Sequence, residues 1–360
     1  MRLDFDLDRV RLGEGPTPVR ELAELGAEGG RAPVWIKDDG AYSDLGGNKA
    51  RKLEWLLGDA ARRGKRTILT GGALGTNHGL ATALFGRRHG MRTVLVLVPQ
   101  PDTAHVRRQL ERLRETGAEL HFPRGVRRAY LLAAWLFVAR TSPPLDFPYF
   151  LPPGGSVPLG CVGYVEAADE LRAQVESGEL PEPSHIVVAL GSGGTAAGLA
   201  AGLKLAGLRS RLVCVLVNDL TRVDATTVAR LARRTLRLLD RHGADVEDVE
   251  ISPEEIDVVP GWLGAGYGHS TPEATGAIEL LADRAGLTLE PVYTGKAMAA
   301  LLGLNRRGAF GEGPVLYWHT YTAPKEAPTR DPAAPGREAQ QADATHPAAP
   351  GREAEEAAGR

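Results

Sequence analysis

The chain has 360 residues, 43% of them apolar, with 43 basic and 45 acidic side chains and a formal charge of −2. At roughly 150 residues per domain this length holds two domains, and the charge balance gives no basic excess to bind nucleic acid or an anionic membrane. Two cysteines exclude a disulfide framework and point to a reducing compartment, the cytoplasm, while the longest strongly apolar run, residues 129–139, is far short of the roughly 20 residues that cross a bilayer.

The N-terminus, MRLDFDLDRV, carries acidic residues where a secretory signal would have its apolar stretch. The body then alternates short β-branched runs with helical patterns. TILT at 67–70 reads as a strand, followed by Gly71-Gly72 as a turn and an Ala-rich helix to about His89. TVLVLV at 93–98 is the next strand, and a charged helix runs from about Thr103 to Thr116, stopping at Gly117. IVVAL at 186–190 leads into a glycine turn, a helix to about Leu205 and the strand 212–217. Buried strands alternating with helices predict parallel sheets covered on both faces. Two such sets are separated by the Pro/Gly-rich stretch 152–160. From Pro324 to Arg360 there is no Ile, Leu, Val, Phe, Trp or Tyr, and PAAPGREA occurs twice. Such a segment does not bury enough surface to offset its ordering entropy, so a disordered tail is expected at 324–360.

Three segments carry candidate chemistry. In DLGGNKARKLEWLL (44–57), Asn48 is suited to cap a helix starting at Lys49, with Leu53, Leu56 and Leu57 on one face. A lysine at a helix start meets the positive end of the dipole, which lowers its pKa as a Schiff-base lysine requires. The plain alternative is a solvated surface lysine. GGALGTNHG (71–79) follows a strand and sets Thr76, Asn77 and His78 at the next helix start, at the strand ends where ligands bind. Helix capping by Thr76 or Asn77, with His78 on the surface, explains the same residues. GSGGTAAG (191–198) follows IVVAL; its small residues and the helix start suit a phosphate, with Ser192 and Thr195 adding hydroxyls. Gly191-x-Gly193-x-x-Ala196 also satisfies the dinucleotide fingerprint, with Asp219 at the end of the next strand, so an oxidoreductase is a rival reading. Further on, Tyr293 and Trp318 read as core aromatics, Lys296 as the start of an exposed helix face, and His319 as a core histidine. Cys214 reads as core, and Cys161 has no evident partner.

In this order the segments resemble the pyridoxal-phosphate-dependent D-cysteine desulfhydrase and aminocyclopropanecarboxylate deaminase family, of the tryptophan-synthase-beta-like fold (fold type II). The resemblance runs from about Leu12 to Thr322. It is carried by GGNKARKLEWL, GSGGTAAG, GYG at 266–268 and PVYTGKAMAALL at 291–302. The two strand–helix sets place a smaller α/β domain at 46–158, and the resemblance implies that residues 1–45 join 159–323 in a larger one, both doubly wound. The resemblance also implies a homodimer acting on a small amino acid. Lys49 matches the lysine that binds the cofactor covalently, and Ser192, Gly193, Gly194 and Thr195 match the phosphate loop. Asn77 matches the partner of the ring hydroxyl. Thr76 and His78 lie where the family places groups near the substrate carboxylate, with Thr76 among the catalytic residues. Tyr267 and Tyr293 match two active-site tyrosines, and Thr320 a hydroxyl near the pyridine nitrogen. The cofactor serves as electron sink. The implied reaction is elimination from D-cysteine to pyruvate, sulfide and ammonia; a deaminase opening aminocyclopropanecarboxylate, another β-lyase and a racemase are the alternatives.

Departures from the family pattern sit near the substrate. Thr294 stands where the deaminases have Glu near the pyridine nitrogen, which favours the desulfhydrase branch because a hydroxyl stabilises a protonated pyridine less than a carboxylate does. Thr76 replaces the usual Ser, the 71–79 loop is one residue longer, and HTYT at 319–322 replaces His-Thr-Gly-Gly.

Overall fold

A computed structural model describes residues 5–45, 47–142, 145–247 and 249–320. The expected tail, as well as Gly46, Tyr321 and Thr322, lie outside the described residues. In chain order the elements are β1 (Val19–Glu21), β2 (Val34–Asp38), α1 (Gly47–Arg62), β3 (Thr67–Ala73), α2 (Asn77–Arg88), β4 (Arg92–Val98), α3 (Ala104–Glu115), β5 (Glu119–His121), α4 (Val126–Ala139) and β6 (Tyr149–Phe150). They continue as α5 (Pro158–Glu176), β7 (His185–Leu190), α6 (Gly194–Leu205), β8 (Arg211–Leu216), α7 (Ala225–Arg241), β9 (Ile256–Val259), α8 (Pro272–Ala285), α9 (Thr294–Arg306) and β10 (Val315–His319).

The strands form two sheets, in the orders β1-β2-β10-β7-β8-β9 and β5-β4-β3-β6. Every pairing is parallel except β1 with β2. The period-2 alternation of each central strand explains why both faces need cover. Ile68, Leu95 and Leu97 pack under α1, α2 and α3, whereas Leu69, Val94 and Val96 pack under α4. In the larger sheet Ile186, Val188 and Leu190 meet α5, α6 and α7, and Val187 meets α9. Helices α5 and α6 approach closely through Gly198, where an added Cβ would lie 2.4 Å from the Tyr164 Cβ.

Two local expectations are corrected. Gly71 and Gly72 are not a turn: β3 continues through them to Ala73, paired with Val96 and Leu97 of β4, so the turn is displaced to Leu74-Gly75. Helix α1 starts at Gly47, so Asn48 lies inside its first turn and is not the cap.

The back of α1 is fixed by a buried ionic cluster that the sequence did not disclose. Asp39, fully buried, accepts hydrogen bonds from the Trp318 Nε1 (2.8 Å), the Tyr164 hydroxyl (2.6 Å) and the Arg51 Nε (3.1 Å). Arg51 also pairs with Glu170 (3.0 Å), which in turn pairs with Lys37 (2.6 Å). One helix is thereby tied to β2, α5 and β10 at once.

Candidate active site

The C-terminal ends of β3, β7, β8 and β10 open on one cleft of about 250 Å³. Eleven of the residues singled out from the sequence line it: Lys49, Thr76, Asn77, His78, Ser192, Gly193, Gly194, Thr195, Tyr267, Tyr293 and Thr320. Parallel α/β sheets bind ligands at these strand ends.

Lys49 is half-buried on α1. Burial first, and the charge of Lys52 second, push its amine down to about 7. Desolvation and a neighbouring lysine thus act in the same direction as the helix start, which also opposes a positive charge. Lys52 lies one turn on, buried, its own amine pushed to about 8 by burial and its Nζ donating to the Gly154 carbonyl (3.3 Å). Thr76 caps α2, its Oγ1 accepting from the Gly79 N–H (3.0 Å). Asn77 Oδ1 accepts from Gln109. His78 is not on the surface: it is buried against the Thr70 hydroxyl (3.2 Å), and burial, then Lys49 and Lys52, push its pKa well below the usual value. It is a neutral imidazole at pH 7.

The glycine loop has the shape of an anion cradle. Gly193, at φ +87°, turns the chain into α6, and the Thr195 and Ala196 N–H groups in the first turn have no intrahelical acceptor. Ser192 Oγ lies 2.7 Å from Ser156 Oγ, which accepts from the Gly194 N–H (3.0 Å). A Cβ on Gly194 would lie 2.6 Å from Ser156 Oγ and 2.8 Å from Lys52 Nζ, so the cradle requires glycine. Asn48 donates from Nδ2 to Thr195 Oγ1 (3.1 Å) and from its N–H to the Thr320 carbonyl (2.9 Å), which explains why it does not cap α1. On the opposite wall the Tyr267 and Tyr293 hydroxyls are 2.7 Å apart, with the rings edge to face. Burial raises the pKa of both.

Three readings are corrected here. Thr294 does not line the cleft; it is buried, and its Oγ1 accepts from the Glu290 N–H (2.7 Å). Glu290 accepts in turn from the Val292, Tyr293 and Thr294 N–H groups and so holds the start of α9. Lys296 is fully buried, its Nζ donating to the Leu263 carbonyl (2.8 Å), rather than exposed. Asp219 is not a free ribose ligand: it accepts from the Tyr267 N–H (3.0 Å) and does not line the cleft, which removes the dinucleotide reading. Sequence reasoning missed Lys52 and Ser156. The i, i+3 spacing from Lys49 was a usable signal for the first, but nothing local marked a serine far along the chain from the loop it joins.

A basic side chain behind a glycine cradle, a lysine with a depressed pKa and a paired-tyrosine wall fit a phosphorylated aldehyde cofactor. The chain belongs to the pyridoxal-phosphate dependent enzyme family, which it matches over residues 10–320. It is 34% identical over 333 residues to the D-cysteine desulfhydrase of Klebsiella pneumoniae (strain 342), covering 88% of this chain and 94% of that one. A Pyrococcus horikoshii protein provisionally named 1-aminocyclopropane-1-carboxylate deaminase is 34% identical over 313 residues, covering 87% and 91%. The crystal structure of an ACC deaminase homologue superposes with a TM-score of 0.74 at 31% identity, covering 88% of this chain and 92% of that one.

Proposed function

We propose that the protein eliminates the β-substituent of a small amino acid, with D-cysteine giving pyruvate, sulfide and ammonia. The observation that carries this is the Lys49 amine, held near neutral pKa in the same cleft as the glycine cradle and the tyrosine pair. Bound pyridoxal phosphate supplies an electron sink for charge left on the substrate Cα. Lys52, Ser192, Gly193, Gly194 and Thr195 would hold the phosphate, Asn77 and Thr320 the ring, and Lys49 the aldehyde end. Thr76 and the neutral His78 orient the substrate carboxylate by hydrogen bonding, since an uncharged imidazole makes no ion pair. The Lys49 amine, near neutral pKa and unpaired with any carboxylate among the described residues, would serve as the base that takes the substrate Cα proton. The Tyr267–Tyr293 hydroxyl pair protonates the leaving sulfur. High tyrosine pKa values suit donors and not bases.

The test is the product formed from D-cysteine, L-cysteine and aminocyclopropanecarboxylate given separately. Pyruvate and sulfide from D-cysteine alone are expected. Oxobutyrate from the cyclopropane would favour the deaminase reading instead, and the opposite enantiomer without keto acid a racemase.

Two coarser features belong to the same reading. The chain divides into a larger α/β domain (1–45 and 159–323) and a smaller one (46–158), supported by the membership of the two sheets. It forms a homodimer. Of the ten large apolar side chains that stand exposed among the described residues, six fall between Phe122 and Phe147 and do not line the cleft. Leu131, Trp135 and Val138 make one outward stripe of α4, and a helix apolar all round is ordinarily covered. Light scattering at two concentrations, with Trp135→Glu as the monomeric control, tests it. No described helix is long and apolar enough to cross a membrane. Two buried unpaired cysteines, Cys161 and Cys214, support a reducing compartment, the cytoplasm.

A further inference from the structure

A second stripe of α4 faces the cleft. Val126, Ala129, Tyr130 and Ala133 follow the i, i+3, i+4, i+7 spacing of one helix face, and all four line the cavity. Phe150 and Leu220 line it as well. Val126, Tyr130, Phe150 and Leu220 are 40%, 65%, 50% and 43% exposed, so they stand where the cavity meets solvent. Apart from tyrosines, the ionisable groups that line the cleft are Lys49, Lys52 and His78, all carried by α1 and α2. The vestibule is therefore apolar and uncharged, and continuous with the site.

A thiol substituent would leave this surface in water. We propose that the site takes β-substituted alanines whose sulfur carries a bulky, uncharged apolar group, the group lying in the vestibule. The proposal rests on the elimination reading above and extends its substrate class from cysteine to S-aryl or S-aralkyl cysteines. The chemistry is unchanged: the Cα–H bond breaks with its proton going to Lys49, and the Cβ–S bond breaks with the electron pair leaving on sulfur. The sulfur takes a proton to become the free thiol. The remaining enamine takes up one water and yields pyruvate and ammonium, with no net oxidation.

The experiment compares, on the holoenzyme, whichever enantiomer of cysteine is accepted with the S-benzyl derivative of the same hand, reading pyruvate. Burial of a phenyl ring predicts a kcat/KM about tenfold or more in favour of the S-benzyl substrate. Ala133→Phe, which fills the stripe, lowers that ratio about tenfold. Tyr130→Asp, at an exposed position that tolerates a charge, lowers it as well, which covers the case in which the larger side chain does not fold. Bound-cofactor absorbance verifies that each variant is loaded. Equal or lower kcat/KM for the S-benzyl substrate, or an unchanged ratio in both variants, overturns the proposal while the elimination reading stands. Pyruvate from neither substrate overturns the elimination reading, and this proposal with it.

Discussion

Lys52 follows Lys49 by one turn of α1, and its charge is second only to burial in pushing the Lys49 amine down to about 7. Two ammonium groups so placed oppose each other, and the buried helix face gives neither a carboxylate partner. Capture of pyridoxal phosphate by the apoprotein needs the unprotonated amine, so its rate should rise with pH through about 7. Lys52→Gln removes the opposing charge and should move that midpoint upward. It should also weaken cofactor affinity by about 10- to 100-fold, the value of a charged hydrogen bond of about 1.5–3 kcal/mol. Absorbance-monitored uptake across pH 5.5–9 checks both. A downward midpoint would contradict the charge argument.

The phosphate cradle depends on the absence of one carbon. Gly194→Ala brings a Cβ to 2.6 Å from Ser156 Oγ and 2.8 Å from Lys52 Nζ, both groups that face the loop. The same Cβ would lie 3.0 Å from the Ser156 Cα, so backbone as well as two side-chain ends must give, and stability should fall by about 1 kcal/mol, the middle of the range of ordinary substitutions. Cofactor affinity should fall at least about tenfold. Equilibrium dialysis of the cofactor beside a urea melt separates the two effects, and equal losses in both would show that the glycine serves packing alone.

Tyr293→Phe removes one member of the 2.7 Å hydroxyl pair and leaves the ring contact with Tyr267 in place. If the pair moves a proton in turnover, kcat should fall about 10²- to 10⁴-fold with KM little changed. Cofactor absorbance should be retained. A change confined to KM would reassign the tyrosines to substrate packing.

Much of this was legible in the sequence, for physical reasons. Alternating strands such as TVLVLV and glycine loops after strands are local signals, and each contributed correctly to the cleft. What failed was what lies across the fold. Gly71 and Gly72 look like a turn because nothing local shows that β4 pairs with them through Val96 and Leu97. Asn48 looks like a cap until Thr195, far along the chain, takes its amide. Thr294 looked like a substrate determinant from its neighbour Tyr293, yet a helix start turns adjacent residues to different sides, and Glu290 holds its hydroxyl away from the cleft. Thr294→Val should therefore cost about 1 kcal/mol of stability through the lost helix-start hydrogen bond, and leave the keto-acid product unchanged.

The ionic cluster behind α1 makes the last prediction. Asp39 has no exposed surface and bonds to Trp318, Tyr164 and Arg51. Burial alone would raise its pKa, but Arg51 and then Lys37, with the Trp318 and Tyr164 hydrogen bonds, hold it below the usual carboxylate value. A carboxyl with a depressed folded pKa contributes stability that is present above its unfolded pKa and is lost as pH falls through the folded value. The protein should hold its stability through neutral pH and lose it in acid below about pH 4. Asp39→Ala strips Arg51 of one buried partner and leaves Glu170 as the other, and should destabilise by about 3–5 kcal/mol. Because α1 carries Lys49 on its other side, the same substitution should also reduce cofactor uptake in the fraction that remains folded. Asp39→Asn keeps the shape and an acceptor but not the charge, and should lose stability at neutral pH while flattening the acid limb of the profile. Chemical melts of the three proteins at pH 3.5, 5 and 7 check this; an acid limb equally steep in Asp39→Asn would place the titrating group elsewhere.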